Sequence, residues 1–225
     1  MVPTKQLQFA VNADEVSALL SIPKNPRWLL VLAHGAGAGM THPFLQNLSD
    51  QLNSAGIATL RYQFPYMEQH RGAPDKPAVL TATVAAAVQA AKKAAPGLPL
   101  LGGGKSMGGR MTSQAASQEL LEDVRGLVFF GFPLHPPGNP GTKRADHLAK
   151  VPIPMLFLQG TRDTFANLEL LRPVCATLGT RATVHIIDSA DHSFHVLKSS
   201  GTTDSAVLDQ LAQTTADWAD KLAVK

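Results

Sequence analysis

The chain holds a single cysteine, Cys175, among 225 residues, so it can build neither an internal disulfide nor a thiolate metal cluster. Cys175 falls in the apolar, helix-like stretch LLRPVCATLG and reads as a buried structural thiol, not a nucleophile. No apolar run approaches the roughly 18 residues that a membrane helix needs. The opening stretch MVPTKQLQFAVNADEV lacks the apolar core of a secretory signal, so a soluble cytoplasmic protein without a membrane partner is expected. Lysine and arginine are scattered, with Lys92-Lys93 and Lys143-Arg144 the densest pairs, and the net charge is only +3. No basic stripe therefore argues for nucleic acid, and a solvated surface is the expected setting of these pairs. Repeats, low-complexity tracts and long linkers are absent too.

What is present is a core-forming composition. Hydrophobic residues make up 44% of the chain and charged residues 16%, which supports a large buried interior and one domain spanning 1–225. KQLQFAV and EVSALLSIP, joined through NADE, alternate as an antiparallel hairpin does. From there the chain alternates between apolar strand segments and helix-like segments. WLLVLAH, GIATLRYQF, LPLLGGG, GLVFFGFP, PMLFLQG and ATVHIID are almost continuously hydrophobic, as parallel strands buried on both faces must be. PFLQNLSDQLNSAG, KPAVLTATVAAAVQAAKKAAPG, MGGRMTSQAASQELLED and FANLELLRPVCATLG are the helices between them. In the last run, Leu208, Leu211, Thr215, Trp218 and Leu222 recur at three- and four-residue steps and mark a packing face. The fold class is α/β: a mostly parallel, doubly wound sheet with an N-terminal antiparallel hairpin. In such sheets ligand sites form beyond the C-terminal ends of the strands.

Residues 101–110, LGGGKSMGGR, allow two incompatible readings. Gly104-Lys105-Ser106 resembles the end of a phosphate-binding P-loop, which requires a further glycine five residues before Gly104. That place is held by Pro99, and Gly97 comes two residues too early. Gly104-Lys105-Ser106-Met107-Gly108 is equally a G-x-S-x-G, and it lies between a strand candidate and a helix candidate, as a nucleophile on a sharp turn demands. Glycines two residues either side of the serine let neighbouring backbone come close. The nucleotide reading fails, and Ser106 becomes the candidate nucleophile.

A serine is a weak nucleophile without a base that is itself oriented by an acid. Asp163, after PMLFLQG, and His192, after ATVHIID, lie beyond strand ends on the same edge as Ser106. Asp163 also suits a cap for a helix starting near Phe165, and Asp188 and Asp191 are its rivals as the acid. His195 is a second candidate base. An oxyanion hole would take one donor from the backbone amide of Met107 and the other from the loop His34–Gly39. His34 is expected to shape that loop and His185 to be structural within a buried strand. Lys105 and Arg110 would attract an acidic substrate or form surface and helix-side ion pairs. Tyr62, Phe64, Pro65 and Tyr66 would line a pocket wall or simply pack.

The segments HGAGAGM at 34–40, GGKSMGGR at 103–110, PLHPPG at 133–138, LFLQGTRD at 156–163 and ADHSF at 190–194 together resemble the α/β-hydrolase superfamily. The resemblance runs over nearly the whole chain. Dienelactone-hydrolase-like proteins are cousins, and a small hydrolase-like family whose domain also occurs in a subunit of a chromatin-acetylating complex is closer. It implies Ser106 as nucleophile, Asp163 as acid and His192 as base, in the chain order of that fold, with Ala36 as the second oxyanion donor. Serine stands where dienelactone hydrolases carry cysteine, so their substrate does not carry over.

Between GLVFFGFP and PMLFLQG the span LHPPGNPGTKRADHLAKVPI is short and rich in proline and glycine, with room for one small helix around Arg144–Lys150. A lid is therefore minimal or absent, which disfavours long-chain lipids. The expected activity is a serine hydrolase acting on small soluble carboxylic esters or thioesters through an acyl-enzyme intermediate, without cofactor or metal, as a monomer or homodimer. The alternative is a hydrolase-like binding or scaffold protein with little turnover.

Overall fold

The computed structural model describes residues 2–222. Eight strands form one sheet: β1 (Thr4–Val11), β2 (Asp14–Ser21), β3 (Trp28–Ala33), β4 (Ile57–Tyr62), β5 (Leu100–Lys105), β6 (Val124–Phe130), β7 (Met155–Gly160) and β8 (Ala182–Ile187). Their order across the sheet is β1-β2-β4-β3-β5-β6-β7-β8. The hairpin β1–β2 is antiparallel and joins β4 antiparallel, whereas β4, β3, β5, β6, β7 and β8 run parallel. The hairpin turns at Asn12, which takes a positive φ of 53°.

Helices cover both faces. The longer ones are α1 (Pro43–Ser54), α3 (Pro77–Ala94), α4 (Met107–Ser117), α5 (Leu168–Thr177) and α6 (Asp204–Leu222), and α2 (Pro65–Glu68) is a single turn. The period of two along β3 divides the interior. Leu29, Val31 and Ala33 pack with α3, α4 and α5, while Trp28, Leu30 and Leu32 pack with α1 and α6. On α6 the buried stripe is Val207, Leu211, Thr215 and Trp218, with Leu208 and Leu222 only partly covered beside it. Cys175 is buried among α5 and its neighbours, and burial pushes its thiol up to about 12, far from a reactive thiolate.

Three expectations need correction. The helix after β7 starts at Leu168 under an Asn167 cap, not near Phe165. Helix α4 ends at Ser117, well before the segment at Leu120–Asp123. Strand β8 lies at the sheet edge with most residues half-buried, so His185 is not a core histidine, and its Nε2 accepts from Gln210 at 3.0 Å. An edge strand has one paired side only, which relaxes the demand for apolar residues on both faces.

The parallel strands bring the loops after β3, β5, β6, β7 and β8 to one edge. Between β6 and β7 only a 3₁₀ segment, Lys143–Lys150, is regular, so no helical lid covers that edge from this span. Strand β5 can sit among its neighbours because residue 104 has no side chain. A Cβ there would lie 2.5 Å from the Ala33 carbonyl oxygen and 2.9 Å from the Gly108 carbonyl carbon, both backbone atoms that cannot step aside. Gly104→Ala should therefore lower stability by about 1–3 kcal/mol, the usual scale of overpacking. Gly72→Ala, where a Cβ meets nothing within 4 Å, should leave the unfolding midpoint nearly unchanged. Thermal denaturation of both variants checks this pair.

Candidate active site

Ser106 stands between the last residue of β5 and the first of α4 with φ 51° and ψ −117°, a conformation a side-chain-bearing residue rarely adopts. Its amide donates to the Phe130 carbonyl at 3.2 Å, and its carbonyl accepts the Arg110 amide at 3.1 Å as the first turn of α4. The reversal directs the hydroxyl toward His192, whose Nε2 lies 2.8 Å from Ser106 Oγ. His192 Nδ1 lies 2.7 Å from Asp163 Oδ2. An ionised carboxylate only accepts, so the proton of the neutral imidazole sits on Nδ1 and Nε2 is left to accept from the serine hydroxyl. The structure thus brings Ser106, His192 and Asp163, which come from three separate loops, into one hydrogen-bonded chain.

Asp163 is 5% exposed and held on both oxygens. Oδ1 accepts the Phe165 amide at 2.8 Å, and Oδ2 also accepts from the Gln159 side-chain amide. Gln159 is fully buried, and its Oε1 accepts the Phe132 amide at 3.0 Å, tying the carboxylate to the β6 loop. The Phe165 ring lies on the His192 ring at 4.2 Å between centroids, inclined 27°. Sequence reasoning missed Gln159 and Phe165. A glutamine inside the apolar strand MLFLQG was the available signal, since a buried amide needs a dedicated partner. The rivals stand elsewhere: Asp188 accepts from the Thr161 hydroxyl, and Asp191 accepts the Ser193 and His195 amides. His195 is exposed and pairs with Asp204.

Lys105 departs from the expectation of a surface ion pair. Its Nζ is sealed from solvent and has no hydrogen-bond partner among the described residues. A Cβ placed on Gly131, which holds φ 73°, would lie 3.2 Å from that Nζ and 3.4 Å from both Asp163 Oδ2 and His192 Nδ1. Gly131 therefore leaves room for the ammonium behind the Asp163–His192 pair. Burial, opposed by Asp163 and Asp191, brings the Lys105 pKa down to about 8. The His192 pKa is lowered chiefly by burial; the Asp163 hydrogen bond opposes this and the Lys105 charge adds to it. Arg110, on α4, points to a separate cavity.

The loop after β3 is held from below. His34 is fully buried; its Nδ1 donates to the Gly35 carbonyl at 2.7 Å and its Nε2 accepts the Phe64 amide at 3.1 Å. The amide of Gly37 donates to the Tyr66 hydroxyl, that of Ala38 to the Gly35 carbonyl, and that of Met40 to Gln63 Oε1. Neither the Ala36 nor the Met107 amide donates to another group among the described residues. Tyr62, Phe64 and Tyr66 pack in the interior and do not line the cleft at Ser106. That cleft, about 280 Å³, runs past Ala36, His42, Phe44, Leu45, Ser106 and Phe165. Among the described residues no group of three or more His, Cys, Asp or Glu is placed to hold a metal ion, and no helix is long and apolar enough to cross a membrane.

The chain belongs to the α/β hydrolase family: a family model described as "Alpha/beta hydrolase domain" matches residues 26–220. It is similar in fold to a dienelactone hydrolase from Anabaena variabilis, with a TM-score of 0.76, 21% identity and 96% of each chain covered. A Xanthomonas campestris protein described as an α/β serine hydrolase without lid matches at a TM-score of 0.76 and 17% identity, over 96% of this chain and 94% of that one. A Mycobacterium tuberculosis protein named "Putative phosphoribosyl transferase" is 25% identical over 95% of this chain. The match covers only 45% of that relative's length. Hydrolase activity is what this family and fold support in general.

Burial sets a pH limit on the whole site. It takes the His34 pKa from its ordinary 6.5 down to about 4. The unfolded chain then binds a proton between those values that the folded chain does not, so stability is lost as pH falls through the window. By linkage the His34 contribution is about 3 kcal/mol over that interval. The glutamine of His34→Gln can still accept from Phe64 but does not titrate, so stability should fall less steeply from pH 6.5 to 4. Denaturant titrations across that range would show an unchanged slope if His34 were protonated in the fold.

Proposed function

We propose that the protein is a serine hydrolase of small carboxylic esters or thioesters, with Ser106 as nucleophile, His192 as general base and Asp163 as the acid that orients it. The observation carrying this reading is the chain Ser106 Oγ to His192 Nε2 at 2.8 Å and His192 Nδ1 to Asp163 at 2.7 Å, opening on a cleft. Ser106 Oγ attacks the acyl carbon as His192 Nε2 takes its proton. The carbonyl oxygen, now negative, is received by the amides of Ala36 and Met107, which have no other acceptor among the described residues. The tetrahedral intermediate collapses, His192 hands the proton to the departing alkoxide or thiolate, and an acyl group is left on Ser106. Water, deprotonated by His192, then releases the acid and restores the serine. Asp163 keeps the Nδ1 proton in place and stabilises the imidazolium formed at each step.

Supports around the three residues fit this role. Gln159, the Phe165 amide and the Phe165 ring restrict Asp163 and His192 without using the atoms that transfer the proton. A protein kept only for scaffolding would not require a strained serine hydrogen-bonded to a histidine–aspartate pair at a cleft. The transferase name of the mycobacterial relative describes a protein of which more than half lies outside the match, and it adds no group to this cleft.

Ser106→Ala should reduce kcat on p-nitrophenyl acetate by at least about 10³-fold while leaving thermal unfolding close to wild type. With wild-type protein, kcat/KM should peak at short acyl chains, because an added methylene gains its ~0.8 kcal/mol only where a wall receives it. Undiminished turnover by the alanine variant would remove Ser106 from the mechanism, and a steady rise toward laurate would remove the small-substrate assignment.

The reading also fixes a pH dependence. Catalysis needs neutral His192, whose lowered pKa should keep kcat/KM level below pH 6.5 before it falls. Lys105 carries a positive charge in that range and disfavours a second one on His192. Lys105→Met should therefore move the acid limb of the kcat/KM profile to higher pH. A limb that stays in place would show that Lys105 does not act on His192.

A further inference from the structure

A second cavity, about 420 Å³, lies between α4 and the chain following β6, and it shares no lining residue with the cleft at Ser106. Arg110 of α4, His135 of the PLHPPG segment, and Lys143 and Arg144 of the 3₁₀ segment stand on its walls. None of Arg110, Lys143 and Arg144 forms an ion pair among the described residues. Two buried polar atoms on these walls, Arg110 Nε and His135 Nε2, also have no partner among the described residues. His135 is only 5% exposed, and its Nδ1 donates to the Pro136 carbonyl at 2.8 Å, so Nε2 is the nitrogen left without a bond.

The charges here work against one another. Burial lowers the Arg110 pKa, and the like charge of Arg144 lowers it further. His147, on the same 3₁₀ segment, is brought down to about 4 by burial and then by Arg110, with Asp146 opposing. Its Nε2 lies 2.7 Å from the Ser113 hydroxyl, so it is already satisfied. Half-buried guanidinium groups without counter-ions are costly, and an anion between them reverses the sign of every neighbouring interaction.

We propose that this cavity binds a small phosphate-bearing anion through Arg110, Arg144 and Lys143, with His135 as the hydrogen-bond partner of the same group. Guanidinium forks match two phosphate oxygens at once, and Lys143 adds a point charge. With Nδ1 held by the Pro136 carbonyl, His135 Nε2 is the atom placed to hydrogen-bond the phosphate, and Arg110 Nε supplies a donor to a charged oxygen. The volume lies in the range of roughly 300–1,000 Å³ typical of small-molecule sites, which suits a small ligand. The site stands on elements that also support the catalytic edge. The Arg110 amide donates to the Ser106 carbonyl at 3.1 Å, and the His135 amide donates to the Phe165 carbonyl at 3.1 Å. The proposal does not rest on ester turnover, because what it states is binding.

The test is isothermal titration and thermal unfolding of the full chain with inorganic phosphate, at ionic strength held constant with sodium chloride. Saturable binding and a rising unfolding midpoint are expected. Arg144→Gln combined with Lys143→Gln should weaken binding at least about tenfold, the scale of losing charged hydrogen bonds. Lys143→Gln alone, at an exposed position, should weaken it in the same direction should the double variant fail to fold. Acetate and citrate at matched ionic strength should bind more weakly. Three outcomes would overturn the proposal: no saturable binding, carboxylates equal to phosphate, or binding that survives these substitutions but is lost once Ser106 is blocked.

Discussion

Everything at the catalytic edge depends on a serine held at a φ of 51° where strand β5 becomes helix α4. A side chain in that region costs on the order of 1–3 kcal/mol, and it persists only where the surroundings leave no alternative. Here the surroundings are backbone. The Ser106 amide is committed to Phe130, its carbonyl to the Arg110 amide, and the Gly104 and Gly108 positions leave no room for a Cβ beside Ala33 and His34. The conformation that strains the residue is also the one that brings its hydroxyl to His192. Relaxing it would move Oγ away from His192 Nε2, 2.8 Å distant in this conformation.

The second determinant is the burial of charge. Asp163 lies inside the protein with both oxygens satisfied, and Lys105 lies behind it with no hydrogen-bond partner for its Nζ among the described residues. Their proximity is what Gly131 permits. An ammonium there disfavours imidazolium at His192 while an ionised Asp163 favours it, so the two act in opposite senses on one ring. Burial is the largest influence, and it leaves the His192 pKa below its ordinary value, as the proposed role of general base requires.

Much of this architecture could be read from the amino acids. Continuous apolar strands gave a parallel sheet, the hairpin was visible in its alternation, and the strand–glycine–serine–glycine–helix order placed Ser106 at a turn. Asp163 and His192 could be placed on the same edge because each followed a strand. Asp163 is preferred to Asp188 and Asp191 because its loop can approach the histidine, whereas choosing His192 over His195 leans partly on family resemblance, since loop positions carry no period. The parts that were not readable depend on contacts between distant segments. Nothing local distinguishes Lys105 as buried, because its enclosure comes from Gly131, Asp163 and Phe194, which lie far along the chain. Likewise β8 looked like an interior strand, and only the sheet order shows it to be an edge. The pair Lys143-Arg144 read as solvated surface because their cavity forms only when α4 packs against the segment after β6.

The central claim is that Ser106 is a nucleophile activated by His192. The most direct measurement is mass spectrometry of the native chain treated with a fluorophosphonate, whose phosphorus is attacked by an activated serine oxygen with loss of fluoride. The account predicts one adduct, located by peptide mapping on Ser106, and forming more slowly as pH falls through the range where His192 takes a proton. An unlabelled chain, or an adduct on any other residue, would contradict it.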